Sequence, residues 1–276
     1  VDLCTSCSRC VNQCPVQIDI PWLNTTLRRR LNAMDGAGAI SAYFDALFPD
    51  EEPPETPFRN RLFGNFETLA RVASTFAPVS NAVTGAEPTK RALESLFGID
   101  HRRNLPDFRR RTFRDWASNR QGTPAAADHE YEAVLYPDLY TQYVLVERGM
   151  AAVEALEALG VNVVVPAVGS SGRPALSQGM VDTARERAET VVDDLRPHVE
   201  AGRDVVVVEP SDAAMFLRDY ERLLPDEDFE FLSANTFELM EYVEHVVDST
   251  DADLKAVRTR ADDPGRVVYH SNCQQR

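Results

Sequence analysis

Apolar residues are spaced in three different ways along this chain. Residues 18–23, Ile-Asp-Ile-Pro-Trp-Leu, lead into a helix running through Leu27 and Leu31. Asp19 is placed to cap it, and Pro21 falls near the first turn, where a missing N–H costs little. From Arg59 to about Asn119, apolar side chains return every three or four positions. Phe63, Phe66, Leu69, Val72 and Phe76 predict one buried helical stripe. Leu105-Pro106-Asp107-Phe108 breaks the run, and Phe113 with Trp116 resumes it. Beyond residue 130 the period changes. Residues 133–136, 161–165 and 204–208 predict strands, while 144–159, a segment containing 182–195, and a stretch from a Ser211 cap to Leu223 predict helices. Strands and helices alternating at this spacing imply right-handed βαβ crossovers and a parallel sheet. Sites in such sheets form at the carboxyl ends of strands. That singles out the loops 137–143, 169–174 and 209–212, and the turn 269–273 after a fourth candidate strand at Val267.

The expected class is α+β overall: an N-terminal helical segment, a helical connector, then an α/β domain with a parallel sheet, incomplete at its C-terminus. An acidic, proline-rich loop at 49–55 and a small polar linker at 121–129 mark excursions or boundaries. The division read from these signals is 1–35, 36–128 and 129–276. The start at Val1 without methionine, and the stop just after a strand-like segment, predict an internal piece of a longer protein. No stretch approaches the roughly 18–20 apolar residues of a membrane span.

Charge narrows the function classes. The chain carries 29 basic and 44 acidic residues, a net charge of -15. This balance argues against nucleic acid as a partner, because nothing in it promises a basic stripe for phosphates. Lys90 and Lys255 are the only lysines. Many carboxylates with almost no lysine suggest an acidic, halophile-like protein, since concentrated salt screens self-repulsion. Arg28, Arg29 and Arg30 are adjacent and fan around their helix, which predicts a solvated face. His101, His129, His198 and His245 lack ligand spacing and read as structural or exposed.

The chemistry concentrates in the cysteines. Cys4, Cys7, Cys10 and Cys14 form C-x2-C-x2-C-x3-C followed by Pro15, the bacterial ferredoxin run for a [4Fe–4S] cluster. Two intervening residues let the chain curl around a cubane, and Pro15 turns it out of the site. Zinc sites usually need a second separated knuckle, which the rest of the chain does not supply. Disulfides between cysteines this crowded would be strained. In two-cluster ferredoxins the fourth cysteine of such a run serves the other cluster. Cys4, Cys7 and Cys10 therefore need a fourth ligand, and a partner motif is expected upstream. Cys273 is too remote in sequence to be assumed as that ligand.

These residues carry a resemblance that covers nearly the whole chain. Residues 1–23 resemble the second ferredoxin motif of the iron–sulfur component of 2-hydroxyacid and glycerol-3-phosphate oxidoreductases. Glycolate oxidase, FAD-linked D-lactate dehydrogenase, the lactate-utilisation proteins and anaerobic glycerol-3-phosphate dehydrogenase form this group. The α/β part is similar to the cysteine-rich (CCG) domain these proteins share with heterodisulfide reductase. The matching stretches are Leu135-Tyr136-Pro137-Asp138, Gly169-Ser170-Ser171-Gly172-Arg173-Pro174 with Gly179, Val208-Glu209-Pro210-Ser211-Asp212, and Tyr269-His270-Ser271-Asn272-Cys273-Gln274. Residues 105–116 also fit the helical connector. The resemblance implies an electron-transfer component of an oxidoreductase, not its substrate-oxidising site. It also implies FAD on a partner domain or subunit, a flavin dehydrogenase partner, and a membrane quinone-reducing partner. The location implied is cytoplasmic, or peripheral at the inner face of the membrane through partners.

The departures from that pattern matter as much. Where the group places paired cysteines this chain has Ser170 and Ser171, and where it has another cysteine stands Asp212. Only Cys273 remains, and a usual flanking histidine is Gln274. One thiolate cannot hold the group's cysteine-ligated cluster, so this repeat is expected to be metal-free and to act as a scaffold. Two other readings stay open. One is a non-catalytic docking module with a structural cluster. The other is a hydrolase using Ser170 or Ser171 with His270 and Asp212, although Gly169-Ser170-Ser171-Gly172 is not the G-x-S-x-G elbow.

Overall fold

The computed structural model describes residues 18–33, 58–120 and 131–250 throughout, with single positions between 4 and 15 and between 252 and 268. Asp19 does cap the first helix, α1 (Ile20–Ala33), its carboxylate accepting from the Trp22 N–H at 2.9 Å. The connector follows as α2 (Phe58–Gly64), α3 (Phe66–Thr75), α4 (Val79–Gly85), α5 (Glu87–Phe97) and α6 (Phe113–Asn119). α6 opens on a reciprocal capping box. Thr112 Oγ1 accepts from the Asp115 N–H at 3.2 Å, and the Asp115 carboxylate accepts from the Thr112 N–H at 2.9 Å.

The α/β part runs β1 (Tyr131–Tyr136), α7 (Leu139–Tyr143), α8 (Val146–Ala158), β2 (Val161–Val164), α9 (Arg173–Ser177), α10 (Val181–Glu200) and β3 (Asp204–Val207). It continues as α11 (Pro210–Leu217), a 3-10 turn (Asp219–Arg222), α12 (Asp226–Ser233), β4 (Thr236–Glu238) and α13 (Leu239–Ser249). The four strands are parallel in the order β2-β1-β3-β4. The expected α+β class with a parallel sheet is therefore what the chain adopts.

Strand side chains alternate between faces, so both faces of this sheet carry a core. Val134, Tyr136, Val205 and Val207 pack on one side with Leu195, Phe216 and Tyr220. Ala133, Leu135, Val161, Val163 and Val206 pack on the other with Phe113, Leu156 and Tyr242. Trp22 of α1 rests against the first of these cores. The helix after the cysteine motif is thus built onto the α/β layer.

Several expectations are corrected. The connector stripe is only half buried: Phe63 and Phe66 are partly covered, Phe66 against Phe108, whereas Leu69, Val72 and Phe76 are 38%, 51% and 64% exposed, as are Val79 and Val83 beyond them. The buried side of α3 is instead its small residues, Ala70 and Ser74. Their size lets α3 lie close to Phe108 and Tyr143, and Ser74 Oγ donates to the Arg109 carbonyl. A stripe of small residues gives no hydrophobic periodicity to read. Ser211 does not cap a helix, because Pro210 at the first helical position moves the start to Glu209. That helix stops at Leu217 and a 3-10 turn carries the chain on. Loop 137–143 contains the short helix α7, capped by Asp138. The fourth described strand is β4, three residues long and too short to show a period of two. The candidate strand around Val267 and the linker 121–129 fall outside the described residues, apart from isolated positions near the C-terminus.

Candidate functional site

Cys4, Cys7, Cys10 and Cys14 are half-buried and none is in a disulfide. The Cys14 N–H donates to the Val11 carbonyl at 3.1 Å, and Pro15 follows in a turn. Four free thiols closely spaced along the sequence are a donor set that suits iron–sulfur ligation, since the thiolate is the ligand each iron takes.

Cys4 is tied to α1. Arg28, only 9% exposed, donates from Nη2 to the Cys4 carbonyl at 3.3 Å and from Nη1 to the Ser177 carbonyl at the end of α9. Arg29 pairs with Asp182 at 2.7 Å, and Asn32 Nδ2 donates to the Gln178 carbonyl at 2.7 Å. Arg222 reaches Asp19 at 2.6 Å and lies 5.5 Å over the Trp22 ring. The solvated face expected for the arginine triplet is therefore corrected for Arg28 and Arg29, which are spent on docking within the chain. Partners some 150 residues away in sequence are invisible to local periodicity. Gly179 completes the seam. A Cβ there would lie 2.6 Å from the Arg29 nitrogen and 3.0 Å from the Arg28 carbonyl carbon.

The three expected loops converge at the carboxyl end of the sheet. The chain leaves β1 towards β2 on one side and returns to β3 on the other, so the loops after β1 and β3 border a topological switch point. Tyr136 Oη donates to the Gly169 carbonyl at 2.8 Å, and Tyr220 Oη to the Ser171 carbonyl at 2.9 Å. Ser171 is fully buried and its hydroxyl donates to Asp212 Oδ1. Its Oγ also accepts from the Arg173 N–H at 3.2 Å. Ser170 is buried beside it, with its N–H 3.2 Å from Glu67 Oε2 of α3. Thus Ser170, Ser171 and Asp212 do come together. Cys273 and His270 lie outside the described residues. The Ser171 hydroxyl donates to a carboxyl group here, not to an imidazole, which is not the hydrogen-bond order of a nucleophilic triad.

Asp138 and Glu209 lie in loops the sequence analysis singled out, whereas Arg148, which joins them, does not. Asp138, fully buried, accepts from the Thr141 N–H at 2.9 Å and from Arg148 Nη2 at 3.2 Å. Arg148 bridges onward to Glu209 at 2.8 Å, joining the loops after β1 and β3. Asp138 Oδ2 has no hydrogen-bond partner among the described residues. Burial, reinforced by the neighbouring Asp138 and Glu209 carboxylates, pushes the Asp212 carboxyl up to about 7, against the opposing pull of Ser171 and Arg173. Burial also raises Asp138, with Thr141 and Arg148 pulling the other way. A hydroxyl and a carboxyl of raised proton affinity thus meet where the loops after β2 and β3 come together. Their hydrogen bond ties the two loops together.

The connector is also electrically distinct. Residues 58–120 hold twelve basic and six acidic side chains, whereas 131–250 hold eight and 24. The whole-chain balance of -15 hides this basic island. Arg109, Arg110 and Arg111 line a cleft of about 270 Å³ together with Trp116, Val146, Met150 and Glu147, the last paired with Arg109 at 3.0 Å. No helix among the described residues is long and apolar enough to cross a membrane.

No protein-family model matches the chain, and no solved structure matches it. Curated relatives do. Over 162 residues, 58% of its length, the chain is 28% identical to the C subunit of the anaerobic glycerol-3-phosphate dehydrogenase of Escherichia coli (strain K12). Its counterpart in Escherichia coli O157:H7 matches to the same degree. The matched stretch covers 40% of the length of each of these relatives. The chain is therefore similar, over more than half its length, to part of one subunit of an anaerobic dehydrogenase.

Proposed function

We propose that this chain is the iron–sulfur, electron-transfer segment of a flavin-linked oxidoreductase of glycerol 3-phosphate or a 2-hydroxyacid such as lactate or glycolate. The observation that carries the reading is the four-cysteine run with its proline, free of disulfides and clamped by α1, in a chain similar to a dehydrogenase subunit. When bound, a [4Fe–4S] cluster takes up and passes on single electrons. Cys4, Cys7, Cys10 and Cys14 supply the thiolates, and the ligand arithmetic of two-cluster ferredoxins calls for a second cluster in the longer protein. α1 and Arg28 fix the loop against the α/β domain. Residues 1–35 act as half of a two-cluster module, 36–128 as the connector, and 129–276 as a metal-free CCG-like domain that serves as scaffold.

The flavin belongs on a partner domain or subunit. The exposed row from Leu69 to Val83 and the basic island of the connector support placing that partner there, since contiguous apolar surface of this kind marks interaction sites. Electrons then leave towards quinone or another carrier, at the cytoplasmic face of the membrane. A second reading, a docking module with a purely structural cluster, draws on the direct Ser171–Asp212 hydrogen bond. The test separates the two. Mixed anaerobically with its flavoprotein partner and substrate, the full-length protein is expected to lose its visible iron–sulfur absorption as the cluster is reduced. A cluster that keeps its colour with substrate and with dithionite alike supports the structural module instead.

A further inference from the structure

We propose that Arg28 sets the reduction potential of the cluster held by the cysteine loop, and that the α/β domain holds Arg28 in place to do so. The inference rests on the iron–sulfur reading above and adds a residue that the cysteine motif does not contain. Arg28 is a side chain that touches both the loop and the domain. One arm of its guanidinium donates to the carbonyl of Cys4, a ligand residue, and the other to the carbonyl of Ser177 in α9. Both of these acceptors are carbonyl dipoles, and together they fix where the cation sits.

The side chain is only 9% exposed. Solvent and salt therefore screen the positive charge of its guanidinium poorly. Reduction adds one negative charge to the cluster. A fixed cation beside a ligand residue favours that more negative state, which raises the potential. The planar fork also explains the choice of residue, because two donors pointing to separate elements suit arginine and not the single ammonium of lysine. The anchor is well braced. Ser177 closes the helix that begins just after Ser171, and Arg29, Asn32 and Gly179 hold α1 on either side. On this view the metal-free loop of the α/β domain keeps a task, which is to hold a charge next to a cluster in another segment.

Redox titration of the full-length protein under anaerobic conditions tests this, with iron and sulfide counted on every sample. Arg28→Gln, with its iron complete, is expected to show a lower midpoint potential by at least a tenfold change in the one-electron equilibrium, which is 59 mV. Arg28→Lys keeps the charge and is expected to retain most of the potential while losing part of the thermal stability of the arm. Unchanged potential in a fully loaded Arg28→Gln overturns the proposal. So does Arg28→Lys falling as far as Arg28→Gln, since charge is then not the cause. If Arg28→Gln fails to load, Arg28→Lys decides alone: a drop of tenfold or more overturns the proposal and a smaller one supports it. A wild-type protein without iron overturns the iron–sulfur reading itself, a result distinguishable from all of these.

Discussion

Gly179→Ala is expected to loosen the cysteine arm from the α/β domain and to cost on the order of 2–4 kcal/mol of stability. Two effects add at this position. Gly179 has φ +76, a left-handed conformation that a residue with a Cβ adopts at a cost of about 1 kcal/mol or more. The new Cβ would also stand 2.6 Å from the Arg29 backbone nitrogen. Backbone cannot rotate away as a flexible side chain can, so α1 has to shift. That shift pulls on the Arg28, Arg29 and Asn32 contacts and, through Arg28, on the Cys4 carbonyl. Gly202→Ala is the matched control. Gly202 has φ +85, and nothing lies within 4 Å of the place its methyl would take. It carries the conformational cost without the collision. Chemical denaturation of both variants measures the difference, and faster loss of iron from Gly179→Ala alone is the accompanying sign. Equal destabilisation of the two contradicts the close-approach argument.

Asp212→Asn is expected to stabilise the protein at neutral and alkaline pH. The folded state holds the Asp212 proton up to about pH 7, whereas an unfolded aspartate releases it near pH 4. A raised folded-state value means the contribution is fully present below about pH 4 and is lost as pH rises through about 7. Asp138 is raised as well and adds in the same direction. Asparagine keeps an Oδ1 acceptor for the Ser171 hydroxyl and carries no charge to bury. Wild type and variant should therefore match near pH 4 and diverge above it, the variant ahead by on the order of 2 kcal/mol or more by about pH 8. Unfolding curves at constant high salt measure this. Parallel pH profiles for the two proteins contradict a protonated Asp212.

The strands are legible in the sequence because runs such as Val205-Val206-Val207 are buried on both faces and read as continuous apolar segments. The cysteine run is legible because its four thiols are close neighbours in sequence. The convergence of Ser171 with Asp212 follows from parallel-sheet topology, once the loops after β2 and β3 are placed at the same end. What stays hidden depends on long-range pairing. Arg148 meets Glu209 from 61 residues away and Arg28 meets Ser177 from 149, and neither arginine differs locally from a surface one. The outward face of α3 is hidden for another reason. Ala70 and Ser74 carry the buried contact with almost no apolar mass, so the large residues opposite them draw the pattern to the wrong side.

Iron and acid-labile sulfide content, with EPR before and after dithionite, on the full-length protein purified anaerobically, tests the central claim most directly. Two [4Fe–4S] clusters correspond to about eight irons with matching sulfide, and dithionite is expected to bring up the signal of interacting reduced clusters. Stoichiometric zinc in place of iron, or cysteines found as disulfides, contradicts the account.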